Sequence, residues 1–243
     1  MNEASKTRAI RKSEFYSRYM NDSVLDIGSG PDLVVPHAKP FDLEDGDANE
    51  ILNYFKPESF SCVHSSHCLE HMKNPQKSIA DWWTLVKPGG YLITVVPDEE
   101  LYEQGYWPSL FNTDHKSTFR WDGVSKHPKV SFNIKDLVSS LPGATIISAE
   151  RHNAHYCHWK PLISLGDVKP GFQQKNVNQW FNTSAPVHSF LSRLLLSFSR
   201  RGLIDSIFDK TLIRVARLLG VPIDQTLGKA QAQIEIVAQK SYA

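Results

Sequence analysis

Ser23-Val24-Leu25-Asp26-Ile27-Gly28-Ser29-Gly30-Pro31 is the stretch on which the fold of this chain turns. Val24, Leu25 and Ile27 read as a short buried strand, and Gly28 and Gly30 open a turn that a residue with a Cβ follows only under strain. A strand feeding such a turn is where α/β proteins dock the adenosine half of a cofactor. The dinucleotide fingerprint needs a third glycine, but Leu33 stands there, and it seats a pyrophosphate on the next helix N-terminus. Pro31 and Asp32 follow instead, and an acid beside a pyrophosphate would repel it. S-adenosylmethionine carries no phosphate; its sulfonium and ammonium groups suit an acidic strand end such as Asp26.

Composition narrows the class. A chain of 243 residues is long enough for one large α/β domain, or for a domain with an appended cap. The 41% hydrophobic content and six Trp supply a real core. A net charge of +1 provides no field for nucleic acid, so no nucleic-acid partner is expected. Cys62, Cys68 and Cys157 form no C-x-x-C pair and are odd in number, which fits a reducing compartment. The N-terminus lacks an apolar signal core, and no segment reaches the roughly 20 apolar residues of a membrane span. The expectation is a soluble, cytoplasmic protein.

Further elements follow along the chain. Residues 5–19 have helical spacing, with Ile10, Phe15 and Tyr19 among basic residues. Residues 60–64 read as a strand, and 76–86 as a helix packing Ile79, Trp82, Trp83 and Val86. Lys87-Pro88-Gly89-Gly90 is expected to stop that helix. Tyr91 to Val96 is a buried strand ended by Pro97-Asp98; residues 134–141 are a short helix, and 144–149 and 232–239 are strands. Strands alternating with helices predict a mostly parallel sheet.

Four runs in this order carry a resemblance: VLDIGSG (24–30), GDA (46–48), SFSCVHSSHCLEHMKNP (59–75) and LVKPGGYLITVVPD (85–98). Together they resemble a class I S-adenosylmethionine-dependent methyltransferase, and the S-x-x-x-LEH and KPGG units resemble its type 11 branch. The resemblance implies a Rossmann-like, seven-stranded, mostly parallel sheet whose last strand is antiparallel. It also implies S-adenosylmethionine bound by Asp26, Gly28, Ser29 and Gly30 at the methionine moiety. An acid at the end of the second strand, Asp42, would take the ribose hydroxyls, since one carboxylate accepts two hydrogen bonds. Asp47 and Ala48 would meet the adenine edge. Only fourteen positions separate Gly28 from Asp42, so the helix after the turn must be very short or lost and the third strand can be missing. The ribose role therefore stays open between Asp42 and Asp47.

Ser65 and His67 lie just past the fourth strand expected of such a sheet, at the carboxyl edge where ligands collect, and both are assigned to the cofactor pocket. Three histidines and a glutamate within residues 64–71 raise a zinc alternative, but the run has neither H-E-x-x-H order nor a C-x-x-C pair, and no metal is expected. Base-amino methyltransferases place Asn/Asp-Pro-Pro-Tyr here, which this chain lacks. The loop from Glu99 to Asp122 holds Asp114 and His115. Methyl transfer is an in-line displacement, and for a hydroxyl acceptor the protein must also remove a proton. His115 beside Asp114 is the first candidate base and His67 the second; a loop-tying role for Asp114 and His115 is the competing structural reading.

Residues 1–150 and 230–243 are expected to form the cofactor domain, and 151–229 a helical cap inserted between the last two strands. Within it, 187–200 and 203–219 are amphipathic with basic decoration, so each stripe packs on its own domain or makes a peripheral contact with the inner face of a membrane. The expected activity is methyl transfer to a small-molecule, glycan or lipid-linked acceptor, at oxygen. Two alternatives stand beside it: a nicotinamide-dependent oxidoreductase or epimerase, disfavoured by the absent third glycine, and a non-catalytic cofactor-binding module, disfavoured by the intact glycine turn.

Overall fold

The computed structural model describes residues 3–158, 211, 213–215, 218 and 222–242. The chain divides into two compact units. The first comprises Met1–Asp98, Lys116–His152 and Gln233–Ala243, and the second Glu99–His115 and Asn153–Ala232. The second unit therefore takes in the loop before His115 as well as the inserted segment. The amphipathic run at 187–200 lies outside the described residues, and that at 203–219 almost entirely so.

The first unit is built on a six-stranded sheet ordered β2-β1-β3-β4-β8-β7. Its strands are β1 (Val24–Ile27), β2 (Lys39–Phe41), β3 (Phe60–Ser66), β4 (Val86–Pro97), β7 (Ala144–His152) and β8 (Gln233–Lys240). β1 pairs in parallel with β2 and β3, and β3 with β4, while β8 runs antiparallel to both β4 and β7. Mostly parallel pairing and the antiparallel last strand agree with expectation. The strand count does not: there are six rather than seven in the described residues. The segment between Phe41 and Phe60, where another strand would lie, forms a 3-10 turn at Ala48–Asn53. No helix occupies the stretch from Gly30 to Lys39, so the short connection predicted from the Gly28–Asp42 spacing holds. A separate two-stranded parallel pair, β5 (Thr118–Arg120) and β6 (Ser131–Asn133), carries Phe119 into the core.

Strand alternation divides the core in two. Leu25, Ile27, Val63, Leu92, Ile234 and Ile236 share one face, packed under α3 (Pro75–Thr84) and α4 (Ile134–Ser139). Both helices begin at Asn caps: Asn74 accepts from the Lys77 N–H, and Asn133 from those of Lys135 and Asp136. Ile79, Trp82 and Trp83 supply the buried stripe of α3 as its spacing predicts. Val24, Cys62, Ile93 and Val237 form the opposite core with Tyr19, Met20, Val34 and Val35.

Two local expectations need correction. The helix predicted over 5–19 is two helices, α1 (Glu3–Arg8) and α2 (Ser13–Tyr19). The break lets Arg11 turn inward to a buried ion pair with Glu235, 2.5 Å apart, while Ser5 and Arg8 reach Asp32 beside the glycine turn. Lys87-Pro88-Gly89-Gly90 is not the helix stop. α3 ends at Thr84, and the four residues lie within β4, where the register jumps from Phe60↔Val86 to Cys62↔Tyr91. A Cβ on Gly90 would sit 2.7 Å from the Ser61 carbonyl oxygen, so a close backbone crossing sets this glycine.

Candidate active site

At the carboxyl ends of β1 and β3 the second sheet face changes from apolar to polar. Asp26 and His64 are in-register neighbours on adjacent parallel strands. Their side chains are almost wholly buried, and His64 Nδ1 lies 2.7 Å from Asp26 Oδ1. A carboxylate only accepts, so the proton in that bond sits on Nδ1. The other oxygen, Oδ2, accepts from the Val34 N–H at 2.7 Å, closing the glycine-turn segment back onto β1. Burying such a pair is tolerated because each charge-bearing group keeps a partner.

Beyond this pair opens a cavity of about 280 Å³, lined by Asp26, Gly28, Ser29, Gly30, Pro31, Asp32, Asp42, His64, Ser66 and His67. Gly28 and Gly30 have left-handed φ of 71° and 52°. A Cβ on Gly28 would strike the Cys68 Cβ at 2.7 Å, whereas at Gly30 the nearest atom is Asp42 Oδ2 at 4.0 Å. The first glycine is thus demanded by the protein's own packing, and the second leaves backbone open to the cavity. Burial pushes the Cys68 thiol far above its ordinary pKa, so it stays protonated beneath the turn.

The predicted residues separate here. Asp26, Gly28, Ser29, Gly30, Asp42 and His67 meet in the cavity wall; Asp47, Ala48 and Ser65 do not. Asp47 caps the 3-10 turn by accepting from the Asn49 N–H, and hydrogen bonds from Asn49 hold its carboxyl below the ordinary range. The Ala48 carbonyl accepts from Trp82 Nε1 at 3.1 Å. Ser65 is fully buried and points to the other face of β3, because alternation sends 64 and 66 to the cavity and 65 away. His64 and Ser66 are the wall residues that sequence reasoning missed. The signal was available: they share the i, i+2 face of one strand with a buried acid opposite.

His67 has a left-handed φ of 53°, uncommon for a residue with a Cβ. Its Nε2 donates to Gln233 Oε1 at 2.9 Å, and Gln233 Nε2 in turn donates to Thr7 Oγ1 at 2.8 Å and to His152 Nδ1 at 3.1 Å. Nδ1 of His67 faces the buried Glu70 carboxylate at 3.6 Å. Glu70 is itself fixed through its carbonyl, which accepts from the Lys116 N–H at 2.8 Å.

The second unit contains the other predicted base. His115 is buried, and its Nδ1 lies 2.7 Å from Glu103 Oε1, with the Tyr102 ring beside it. The acid that orients His115 is therefore Glu103 and not Asp114, which is exposed and whose N–H donates to Asn112 Oδ1. Adjacent positions in a loop point apart, while a residue twelve positions earlier folds back. Elsewhere in this unit, Tyr156 Oη donates to the Leu101 carbonyl and Gln104 Nε2 to the Ile223 carbonyl, each at 2.6 Å.

Among the described residues no helix is long and apolar enough to cross a membrane. Residues 3–123 match the family model described as methyltransferase domain, a span that covers the glycine turn, β2, the His67 segment and β4. No curated protein sequence matches the chain. Among solved structures, the chain is similar to a SAM-dependent methyltransferase from Archaeoglobus fulgidus at 15% identity, covering 98% of this chain and 94% of that one with a TM-score of 0.46. It is also similar to the YcgJ protein from Bacillus subtilis at 11% identity, with full coverage of both chains and a TM-score of 0.47. With the glycine turn, the acid-lined cavity and the sheet order in place, the family match identifies residues 3–123 as a methyltransferase domain.

Proposed function

We propose that this methyltransferase acts on a hydroxyl oxygen of a small-molecule, glycan or lipid-linked acceptor, with His67 as the proton-accepting residue. The observation that carries this reading is His67 itself, a histidine in strained backbone at the cavity wall whose ring is held by Gln233. The wall residues fit S-adenosylmethionine: among the described residues, two buried polar atoms in them, His64 Nε2 and Ser66 Oγ, have no protein partner, and no Lys or Arg lines the cavity to oppose a cationic ligand. When bound, the cofactor supplies a methyl group already activated on sulfur.

The chain's own residues then have separable tasks. Gly30 lets a ligand approach the backbone, and Asp42 presents a carboxylate at the cavity for paired hydroxyls. Because Nε2 of His67 is engaged as a donor, the proton leaving an acceptor hydroxyl goes to Nδ1. The Glu70 carboxylate at 3.6 Å then stabilises the imidazolium. The His115–Glu103 pair in the second unit is the second candidate base, with Nε2 as its proton-taking nitrogen. The near-neutral net charge supports an acceptor other than nucleic acid.

The test is incubation of the full chain with methyl-labelled S-adenosylmethionine and fractionated cell extract, followed by mass identification of the labelled product. A methyl ether or ester on a small, glycan or lipid-extractable molecule is the expected outcome. Label confined to nitrogen, or to nucleic acid, would overturn the proposal.

A further inference from the structure

We propose that His152 is a positioning residue for His67: through the side-chain amide of Gln233 it fixes which ring nitrogen of His67 carries the proton. This deepens the reading of His67 as the proton acceptor, and its consequence for turnover rests on that reading. His152 and Gln233 are both buried and face each other in register across β7 and β8. His152 Nε2 lies 3.4 Å from a Glu150 carboxylate oxygen, and a carboxylate favours the proton on the nitrogen that faces it. Nδ1 of His152 is then a lone pair, and it accepts from Gln233 Nε2 at 3.1 Å. Gln233 Nε2 also donates to Thr7 Oγ1 at 2.8 Å. A hydroxyl donates or accepts and fits either orientation of the amide, whereas the His152 lone pair fits only one. The amide oxygen is therefore turned to His67, where a proton on Nε2 must meet it, 2.9 Å away.

The constraint matters because His67 is pulled the other way. The buried Glu70 carboxylate lies 3.6 Å from Nδ1 and attracts the proton to that nitrogen. The aligned contact to Gln233 is shorter and wins only while the amide oxygen faces the ring. A proton drawn to Nδ1 would leave the nitrogen that faces the acceptor hydroxyl unable to take another. The backbone holds the parts in place: the His67 N–H donates to the Val95 carbonyl at 2.9 Å, and Gln233 pairs with Pro97 of the same strand, β4. His152, Gln233 and His67 thus act as one chain of hydrogen bonds in which each orientation dictates the next.

The test is assignment of both imidazole tautomers from long-range proton–nitrogen correlation spectra of the full chain with isotope-labelled histidine, at alkaline pH where the rings are neutral. In the unaltered protein His67 and His152 should each carry the proton on Nε2. A proton on Nδ1 of either ring overturns the proposal, whether or not any variant folds. His152→Leu removes the acceptor and frees the amide to turn over, so the Nδ1–H form of His67 should rise by about threefold or more. In His152→Gln the new carbonyl oxygen accepts from Gln233 while its amide faces Glu150, and the Nε2–H form should return. An unchanged His67 tautomer in folded His152→Leu overturns the proposal, and an equal shift in both variants, the mark of a packing defect, overturns it as well. Transfer of methyl label from S-adenosylmethionine to the acceptor fraction of cell extract should fall about three- to tenfold in His152→Leu, the effect of one neutral hydrogen bond, and recover in His152→Gln. A shifted tautomer with unchanged transfer would leave the positioning of His67 in place and count instead against His67 as the proton acceptor.

Discussion

Asp42 Oδ2 accepts the Gly30 N–H at 2.6 Å, so the acid at the end of β2 is tied to the open glycine of the turn after β1. One carboxylate thereby shapes the turn and faces the cavity, while Asp47, with a side chain 47% exposed, stands outside the wall.

Asp42→Ala should consequently weaken S-adenosylhomocysteine binding by about 1.5–3 kcal/mol, the range for hydrogen bonds involving a charged group. Asp47→Ala should change it by a few tenths at most. Calorimetry on both variants checks this. A larger loss at Asp47 would exchange the two roles.

The two glycines of the turn should respond differently. Gly28→Val combines a left-handed backbone with a collision against Cys68, and should cost several kcal/mol of stability or prevent folding. Gly30→Ala meets nothing closer than 4.0 Å and should cost only the backbone penalty, about 1–2 kcal/mol. Urea denaturation of the two proteins measures the difference, and similar losses would refute the packing account of Gly28.

Kinetics separate the candidate bases. His67→Ala should leave cofactor affinity within about threefold of the unaltered protein, while turnover falls by about 10²- to 10⁴-fold. Gln233→Leu should lower turnover in the same direction, because it removes the acceptor that keeps the His67 proton on Nε2. If His115→Ala is the damaging change and His67→Ala is near normal, the Glu103-oriented histidine is the base. If neither matters, alignment alone carries the rate.

Acid should loosen the first helix. Burial alone would raise the Asp32 carboxyl, but hydrogen bonds from the Ser5 side chain and backbone, together with Arg8, outweigh it and hold the group below its ordinary pKa. A depressed folded-state value means that the attachment of α1 contributes above the unfolded pKa of about 4 and is lost as pH falls through the folded one. Ser5→Ala should move the Asp32 titration upward toward the ordinary range. An NMR titration of that carboxyl shows whether it does, and an unchanged midpoint would remove Ser5 as the cause.

Local chemistry was legible because it depends on neighbours in the chain. The strand before Gly28, the Trp82–Trp83 stripe of α3 and the missing helix between Gly30 and Lys39 all follow from residue order, chain spacing and periodicity. The cavity placements of Asp26, Gly30 and Asp42 follow from the same local turn. What only the tertiary structure decided are the pairings across long separations, since strand register and loop return are set by packing of the whole sheet. Asp26 meets His64 across 38 positions and His67 meets Gln233 across 166. Glu103 rather than the adjacent Asp114 orients His115, and a register jump absorbs the KPGG segment into β4. The choice of Ser66 over Ser65 has the same origin: a strand shows which residues alternate, but only its partners show which face lines the cavity.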